Sequence, residues 1–265
     1  MIDGKLIKAA VSVGVASQKA NIWPRHDNGE SLDRRNYVTA SEISRCARQV
    51  FFEKQAMRDG GYSPTGGTTK PARGYGFFER GHTIEAWFVD NLTRGLASSV
   101  PLLFAGEYQR SFVRDYQSGT PDGVFMLPGD TFKLLEIKSI DPRKKTSALP
   151  QQDHVWQCTQ NSDLLEHALN RVCVGSLLVY INASDYEQID VFELDFDHDL
   201  AQTLEDRAKM IMEATDASEL PLEGVQKNAC GYCPHTAACN AVVRSKIPTA
   251  NTAGIAEASA RLFAK

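Results

Sequence analysis

Apolar and polar positions change their period along the chain, and the changes divide it. Residues 1–36 hold no sustained period and predict a loosely structured lead-in. In "TASEISRCARQVFFEKQAM", Thr39 precedes Glu42 at capping-box spacing and predicts a helix running to about Met57. Gly and Pro dominate "DGGYSPTGGTTKPARGYG", which predicts a loop. Phe77, Ile84, Phe88 and Leu92 then return to helical spacing and predict a second helix. From residue 107 the period falls to two, predicting strands over 107–114, 119–127 and 131–139. "QQDHVWQCTQNSDLLEHAL" predicts a helix, followed by strands near 173–181 and 188–195 and a helix over 198–215. A cysteine-containing segment and an Ala-rich tail over 241–265 come last, and no internal repeat is visible.

Alternation along 131–139 puts Leu134, Glu136 and Lys138 on one strand face and Leu135, Ile137 and Ser139 on the other. A carboxylate and an amine therefore share a face among residues otherwise chosen for packing. If Leu127 pairs with Thr131 around Pro128, Gly129 and Asp130, the register sets Asp122 opposite Glu136. A two-residue turn would send Asp122 to the wrong face, so a three-residue loop or a bulge is expected. Two carboxylates held together raise each other's free energy unless a cation lies between them. Oxygen donors suit Mg²⁺ or Mn²⁺, which bind phosphodiesters and acidify water, and the Lys138 ammonium stands ready to orient that water or stabilise a crowded phosphate.

Composition constrains the partners. With 42% hydrophobic and 23% charged residues the chain is an ordinary globular one with material for a sizeable core. No apolar run approaches the roughly 20 residues that cross a bilayer, and the start lacks a convincing cleavage site, so a soluble cytoplasmic protein without membrane attachment is expected. The net charge of −4 conceals an asymmetry, because residues 1–80 carry 13 basic against 8 acidic side chains while residues 151–224 carry 3 against 16. A nucleic-acid backbone responds to the local field, so a basic flank remains compatible with DNA; a solvated acidic face is the plainer explanation of the same count.

Six cysteines are present, and "CGYCPHTAAC" gathers Cys230, Cys233 and Cys239. In a reducing compartment clustered thiols bind metal more often than they pair as disulfides. His235 offers a local Cys3His zinc site, although two residues after Cys233 is a tight spacing for separate tetrahedral corners. Cys158 and Cys173 are assigned to packing.

Pro121-Asp122 followed by Glu136-Ile137-Lys138 resembles the signature of the PD-(D/E)XK nucleases, and the order of elements resembles their core. More narrowly, the chain is similar to RecB-like exonucleases, including the CRISPR-associated ones. The resemblance implies an α/β fold, a mixed central sheet flanked by helices, with a cysteine-ligated iron–sulfur subdomain joining the N- and C-terminal segments of a domain spanning 37–240. "RGHTIEAWF" resembles an upstream helical motif that carries a metal-binding histidine, which falls on His82. By itself a lone histidine there is more often an interfacial helix residue. The implied metal set is His82, Asp122, Glu136 and Ile137, and the implied catalytic set is Asp122, Glu136, Lys138, His82 and Gln157. The family's paired glutamine and tyrosine are matched only in part, since the fourth position beyond Gln157 is Asn161, and Gln157 and Gln160 otherwise form a plain polar face.

The resemblance also supplies a fourth thiolate. Cys46 in "SEISRCARQVFFE" matches the family's N-terminal cysteine, so Cys46, Cys230, Cys233 and Cys239 are expected to hold a [4Fe-4S] cluster, with zinc at the same thiolates as the alternative. The implied activity is metal-dependent exonucleolytic hydrolysis of single-stranded DNA or DNA ends. Arg143, Lys144, Lys145, Arg45 and Arg48 are candidate phosphate contacts, and Tyr75 and Phe77 candidate stacking residues. A nonhydrolytic adaptor that grips DNA or a partner is the rival from another class. Oligomeric state, and a complex with an integrase, helicase or recombination protein, are left open.

Overall fold

The computed structural model describes residues 2–16, 33–60, 72–96, 100–141, 143, 148–225, 229–231 and 233–245. In chain order the elements begin α1 (Gly4–Ala16), β1 (Val38–Thr39), α2 (Ala47–Arg58), α3 (Ala72–Leu96), β2 (Leu102–Leu103), β3 (Phe112–Arg114) and β4 (Gln117–Gly119). They continue with β5 (Gly123–Leu127), β6 (Thr131–Ile140), α4 (Gln152–Leu169), β7 (Val172–Asn182), β8 (Asp185–Leu194), α5 (His198–Glu213) and α6 (Thr236–Ser245).

Five strands form a mixed sheet in the order β2-β5-β6-β7-β8. Only β6 and β7 are parallel there, as their connection through α4 requires, and the remaining pairs are antiparallel. One face buries Phe125, Leu135, Ile137 and Val179 against Ile7 and Val11 of α1 and Ile84, Phe88 and Leu92 of α3. The other buries Val124, Phe132, Leu134, Leu178 and Tyr180 against Cys158 and Leu165 of α4. A three-stranded sheet, β1-β4-β3, stands beside it. Gln160 of α4 fastens it by donating to the carbonyls of Val38 and Ser118, each at 3.0 Å. Arg114 of β3 pairs with Asp163 of α4 at 3.0 Å and with Glu205 of α5. A third cluster joins α2 to α5 through Val50, Phe51, Leu204, Ala208 and Ile211.

The expected hairpin is present. Leu127 pairs with Thr131 and Gly123 with Leu135 across a three-residue loop. Gly129 at φ +76° and Asp130 at φ +54° supply the left-handed turn that this loop needs. The strands at β7 and β8 and the helices α4 and α5 also lie where the periods put them, to within three residues at each end.

Other expectations need correction. The lead-in is helical over Gly4–Ala16, with Ile7, Ala10 and Val11 buried. This docking depends on Gly95, where a Cβ would come within 1.6 Å of the Ala10 carbonyl oxygen, so α1 rests directly on the backbone of α3. Residues 17–32 lie outside the described residues. The helix expected from Thr39 begins at Ala47, because Thr39 and Glu42 close a turn on themselves: Thr39 N–H donates to Glu42 Oε2 at 2.9 Å and Glu42 N–H to the Thr39 carbonyl at 2.8 Å. Much of the strand expected over 107–114 is instead a 3-10 turn at Gly106–Tyr108, followed by the short β3. The strand expected over 119–127 is broken at Pro121-Asp122, which ends β4 in one sheet and starts β5 in the other. Helix α6 runs across residue 240, where the tail was expected to begin, and 246–265 lie outside the described residues.

Candidate active site

Strand β6 delivers two polar side chains toward α4. Leu134 on that face enters the core beside Cys158, which fixes the face, and Glu136 and Lys138 follow at the period of two. Glu136 is 1% exposed, so its charge needs compensation from neighbours. Lys138 Nζ donates to Glu136 Oε1 at 2.7 Å and Gln157 Nε2 to the same oxygen at 2.6 Å. Asn161 Nδ2, one turn further along α4, donates to Glu136 Oε2 at 3.1 Å.

Asp122 enters from the break between the two sheets. Its Oδ2 accepts the Ile137 N–H at 2.7 Å, which pins the carboxylate to the main chain between Glu136 and Lys138. Its Oδ1 accepts from Gln109 Nε2 at 3.1 Å, and the same amide donates to Glu85 Oε1 on α3 at 2.8 Å. The other oxygen of Glu85 lies 3.8 Å from His82 Nδ1.

Burial, and then the charges of Glu136 and Glu85, push the Asp122 carboxyl well above its ordinary range. Burial works to depress the Lys138 ammonium, but Glu136 and Asp122 outweigh it and hold the proton more tightly than usual. Burial and the charge of Glu136 likewise push the Cys158 thiol up, so it is a packing residue without thiolate character.

Of the residues singled out in the sequence, Asp122, Glu136, Lys138 and Gln157 are brought together. His82 reaches the group through Glu85. Ile137 contributes main chain, since its side chain is in the core. Sequence reading missed Glu85, Gln109 and Asn161. Glu85 was within reach, three residues beyond His82 on the same helix, whereas nothing local marked Gln109.

Three carboxylates against one ammonium leave negative charge in excess, and carboxylate oxygens are the donors that Mg²⁺ or Mn²⁺ takes. The residues thus fit a hard cation in type and charge. Among the described residues no three His, Cys, Asp or Glu side chains stand as a ready metal-binding group. The Gln109 amide and the Lys138 ammonium hold carboxylate oxygens that a cation would claim.

Several solved structures are similar to this chain at low identity. The alkaline exonuclease LHK-Exo from Laribacter hongkongensis shares 17% identity at a TM-score of 0.47, over 77% of this chain and 95% of that one. A phage related exonuclease from Haemophilus somnus 129PT shares 11% at 0.43, over 67% and 92%. The crystal structure of SSO0001 shares 16% at 0.45, over 89% and 95%. No family model and no curated protein matches the sequence. All three TM-scores lie below 0.5, so the reading of the site rests on its own geometry.

The cysteines form a separate locality. Cys46 precedes α2, and the segment leading to Cys230 is tied beside it: Val225 N–H donates to the Ser44 carbonyl at 2.8 Å and Ala47 N–H to the Glu223 carbonyl at 3.2 Å. The nearly buried Arg207 of α5 reinforces the junction, donating to the carbonyls of Ile43 at 2.9 Å, Arg45 at 2.7 Å and Glu223 at 3.1 Å. Burial, and then the proximity of Cys46, Cys230 and Cys239, push the Cys233 thiol up. All six cysteines are free. The His235 ring stacks on Phe52 at 5.6 Å, which engages it in packing.

The candidate DNA contacts are largely occupied. Arg48 donates to the Leu220 carbonyl at 2.7 Å and approaches Cys239 Sγ at 4.0 Å; Arg45 pairs with Glu53 at 3.1 Å, and Arg143 with Asp141 at 2.5 Å. Gln160 serves the small sheet, as above. Lys144 and Lys145 lie outside the described residues, as do the side chains of Tyr75 and Phe77.

Proposed function

We propose that the chain is a divalent-metal-dependent deoxyribonuclease of the PD-(D/E)XK kind, an exonuclease that hydrolyses phosphodiester bonds in single-stranded DNA or at DNA ends. The observation that carries this reading is the hydrogen bond from Ile137 N–H to Asp122, which fixes one acidic side chain to the main chain between Glu136, a second, and Lys138, whose ammonium is hydrogen-bonded to Glu136. Asp122, Glu136, Glu85 and the main-chain oxygen of Ile137 are the donors for Mg²⁺ or Mn²⁺, with His82 behind Glu85. Bound there, the cation supplies charge neutralisation at the phosphate and acidifies the attacking water.

The protein's own groups have separable roles. With Glu136 and Asp122 beside it the Lys138 side chain holds its proton, and the ammonium acts as a positive charge and hydrogen-bond donor toward phosphate or water. Gln157 holds Glu136 in place and leaves Lys138 free to turn toward substrate when the carboxylate is otherwise engaged. Basic excess in residues 1–80 favours a polyanionic substrate.

The four thiols Cys46, Cys230, Cys233 and Cys239 are proposed to hold a [4Fe-4S] cluster, joining the two ends of the nuclease domain. Support comes from the soft donor set and from the hydrogen bonds that tie the segment leading to Cys230 beside the start of α2, where Cys46 stands. A cluster of this kind belongs in a reducing compartment, which makes the cytoplasm the proposed location.

The test is incubation of anaerobically purified protein with end-labelled single-stranded DNA and Mg²⁺ or Mn²⁺, beside Asp122→Ala and Lys138→Ala. Cleavage by wild type and its loss in both variants is the expected result. Equal degradation in all three would assign the activity to a contaminant, and tight DNA binding without cleavage under either ion would make the chain an adaptor.

A further inference from the structure

Glu136 is held unequally. Oε1 takes two donors, Lys138 and Gln157, while Oε2 has, among the described residues, the Asn161 amide alone. Without that bond the carboxylate is free to swing about Oε1, since two contacts at one oxygen leave the orientation of the other unfixed.

Asn161 is itself wedged. It is 1% exposed, and its Oδ1 has no hydrogen-bond partner. A Cβ built on Gly119 of β4 would meet that Oδ1 at 2.0 Å and Cγ at 3.2 Å, so the amide fits only because position 119 lacks a side chain. Turned the other way, the amide would set its oxygen against the Glu136 carboxylate. A buried polar atom with no partner costs free energy, and the bond to Glu136 is what that cost sustains.

We infer that Asn161, seated against Gly119, is a positioning residue that fixes the Glu136 carboxylate for the divalent cation, and that the two residues act as one unit. This rests on the metal-dependent nuclease reading above. The glycine leaves space, the amide fills it, and the carboxylate is oriented from behind by a neutral donor that subtracts nothing from its charge. Preorganised ligands bind a metal more tightly because less ordering is left to the binding step.

The experiment measures Mn²⁺ affinity by titration calorimetry for wild type, Asn161→Ala, Gly119→Ala and their double variant, with Asp122→Ala as the control for the ion's place and melting temperature recorded for each. Each single change is expected to weaken Mn²⁺ binding about 10-fold or more, the usual scale for losing an outer-shell partner. In the double variant Gly119→Ala adds less than about 2-fold, because the side chain it displaces is gone. Gly119→Ala approaches the unit from the opposite side, so it keeps the test valid if Asn161→Ala fails to fold. Mn²⁺ affinity unchanged in the folded single variants, or effects that multiply in full, would overturn the inference and leave the nuclease reading standing. A wild type that binds no Mn²⁺ overturns both, and an unchanged Asp122→Ala affinity locates the ion elsewhere, with the same consequence.

Discussion

Asp122 accepts the main-chain N–H of Ile137 at 2.7 Å, across the junction where the chain leaves one sheet for another. Pro121 has no N–H to contribute to a ladder, so the strand breaks there and Asp122 turns to the neighbouring backbone. The carboxylate is thereby buried at 9% exposure beside Glu136, and its ionisation is linked to folding.

That linkage has a sign. A carboxyl raised in the folded state contributes stability that is fully present below its unfolded pKa of about 3.9 and is lost as pH rises through the higher folded value. In EDTA, Asp122→Asn is therefore expected to melt above wild type at pH 8, with the difference closing toward pH 4. Saturating Mg²⁺ reverses the order, stabilising wild type by about 2.7 kcal/mol at a hundredfold excess over its Kd. Calorimetry across pH with and without Mg²⁺ checks both statements; a gap independent of pH would remove the burial argument.

Gln109 donates to Glu85 and Asp122 at once, a place that a cation between these carboxylates would take. Gln109→Leu is expected to destabilise the protein by about 1–2 kcal/mol in EDTA and by much less in saturating Mg²⁺. Urea denaturation under both conditions measures the difference. An equal loss in the two would place the amide away from the ion.

Lys54 and Glu42 form an ion pair at 2.6 Å with both side chains 2% exposed. Lys54→Met leaves Glu42 with Arg34 at 3.3 Å as its remaining cation, beside the Thr39 N–H, and is expected to cost about 3–5 kcal/mol, the scale for breaking a buried pair. Adding Glu42→Gln should recover most of it. Chemical denaturation of the single and double variants decides, and failure of the second change to rescue the first would show that the pair is not the unit.

Removal of one cysteine should empty the whole cluster. Cys46→Ala and Cys233→Ala are each expected to reduce iron from about four atoms per chain to below one, and to lower the melting temperature together. Elemental analysis and visible absorption of anaerobic protein report this. A colourless wild type carrying zinc would replace the iron–sulfur assignment.

Burial explains which features were readable in advance. Leu134, Glu136 and Lys138 share a face because strand geometry alone alternates side chains, and Pro128-Gly129-Asp130 can close only a limited set of loops. The Thr39 and Glu42 signal was real chemistry with a different outcome: the Glu42 side chain took the Thr39 N–H as in a cap, but the Glu42 N–H went to the Thr39 carbonyl, Glu42 was claimed by Lys54, and the helix started at Ala47. Helix α1 was invisible because its small and interrupted apolar stripe gains its burial from Gly95 and the helix around it.

The sequence by itself determined the hairpin that presents Asp122 and Glu136 and the helix that carries Gln157. These follow from local period and turn chemistry, which act over a few residues. Tertiary structure decided that Glu85 stands before His82, that Gln109 bridges Glu85 to Asp122, and that Asn161 wedges between Gly119 and Glu136. Such contacts depend on how far apart and at what angle packed elements come to rest, and periodicity records which face of an element is buried but not what it will meet.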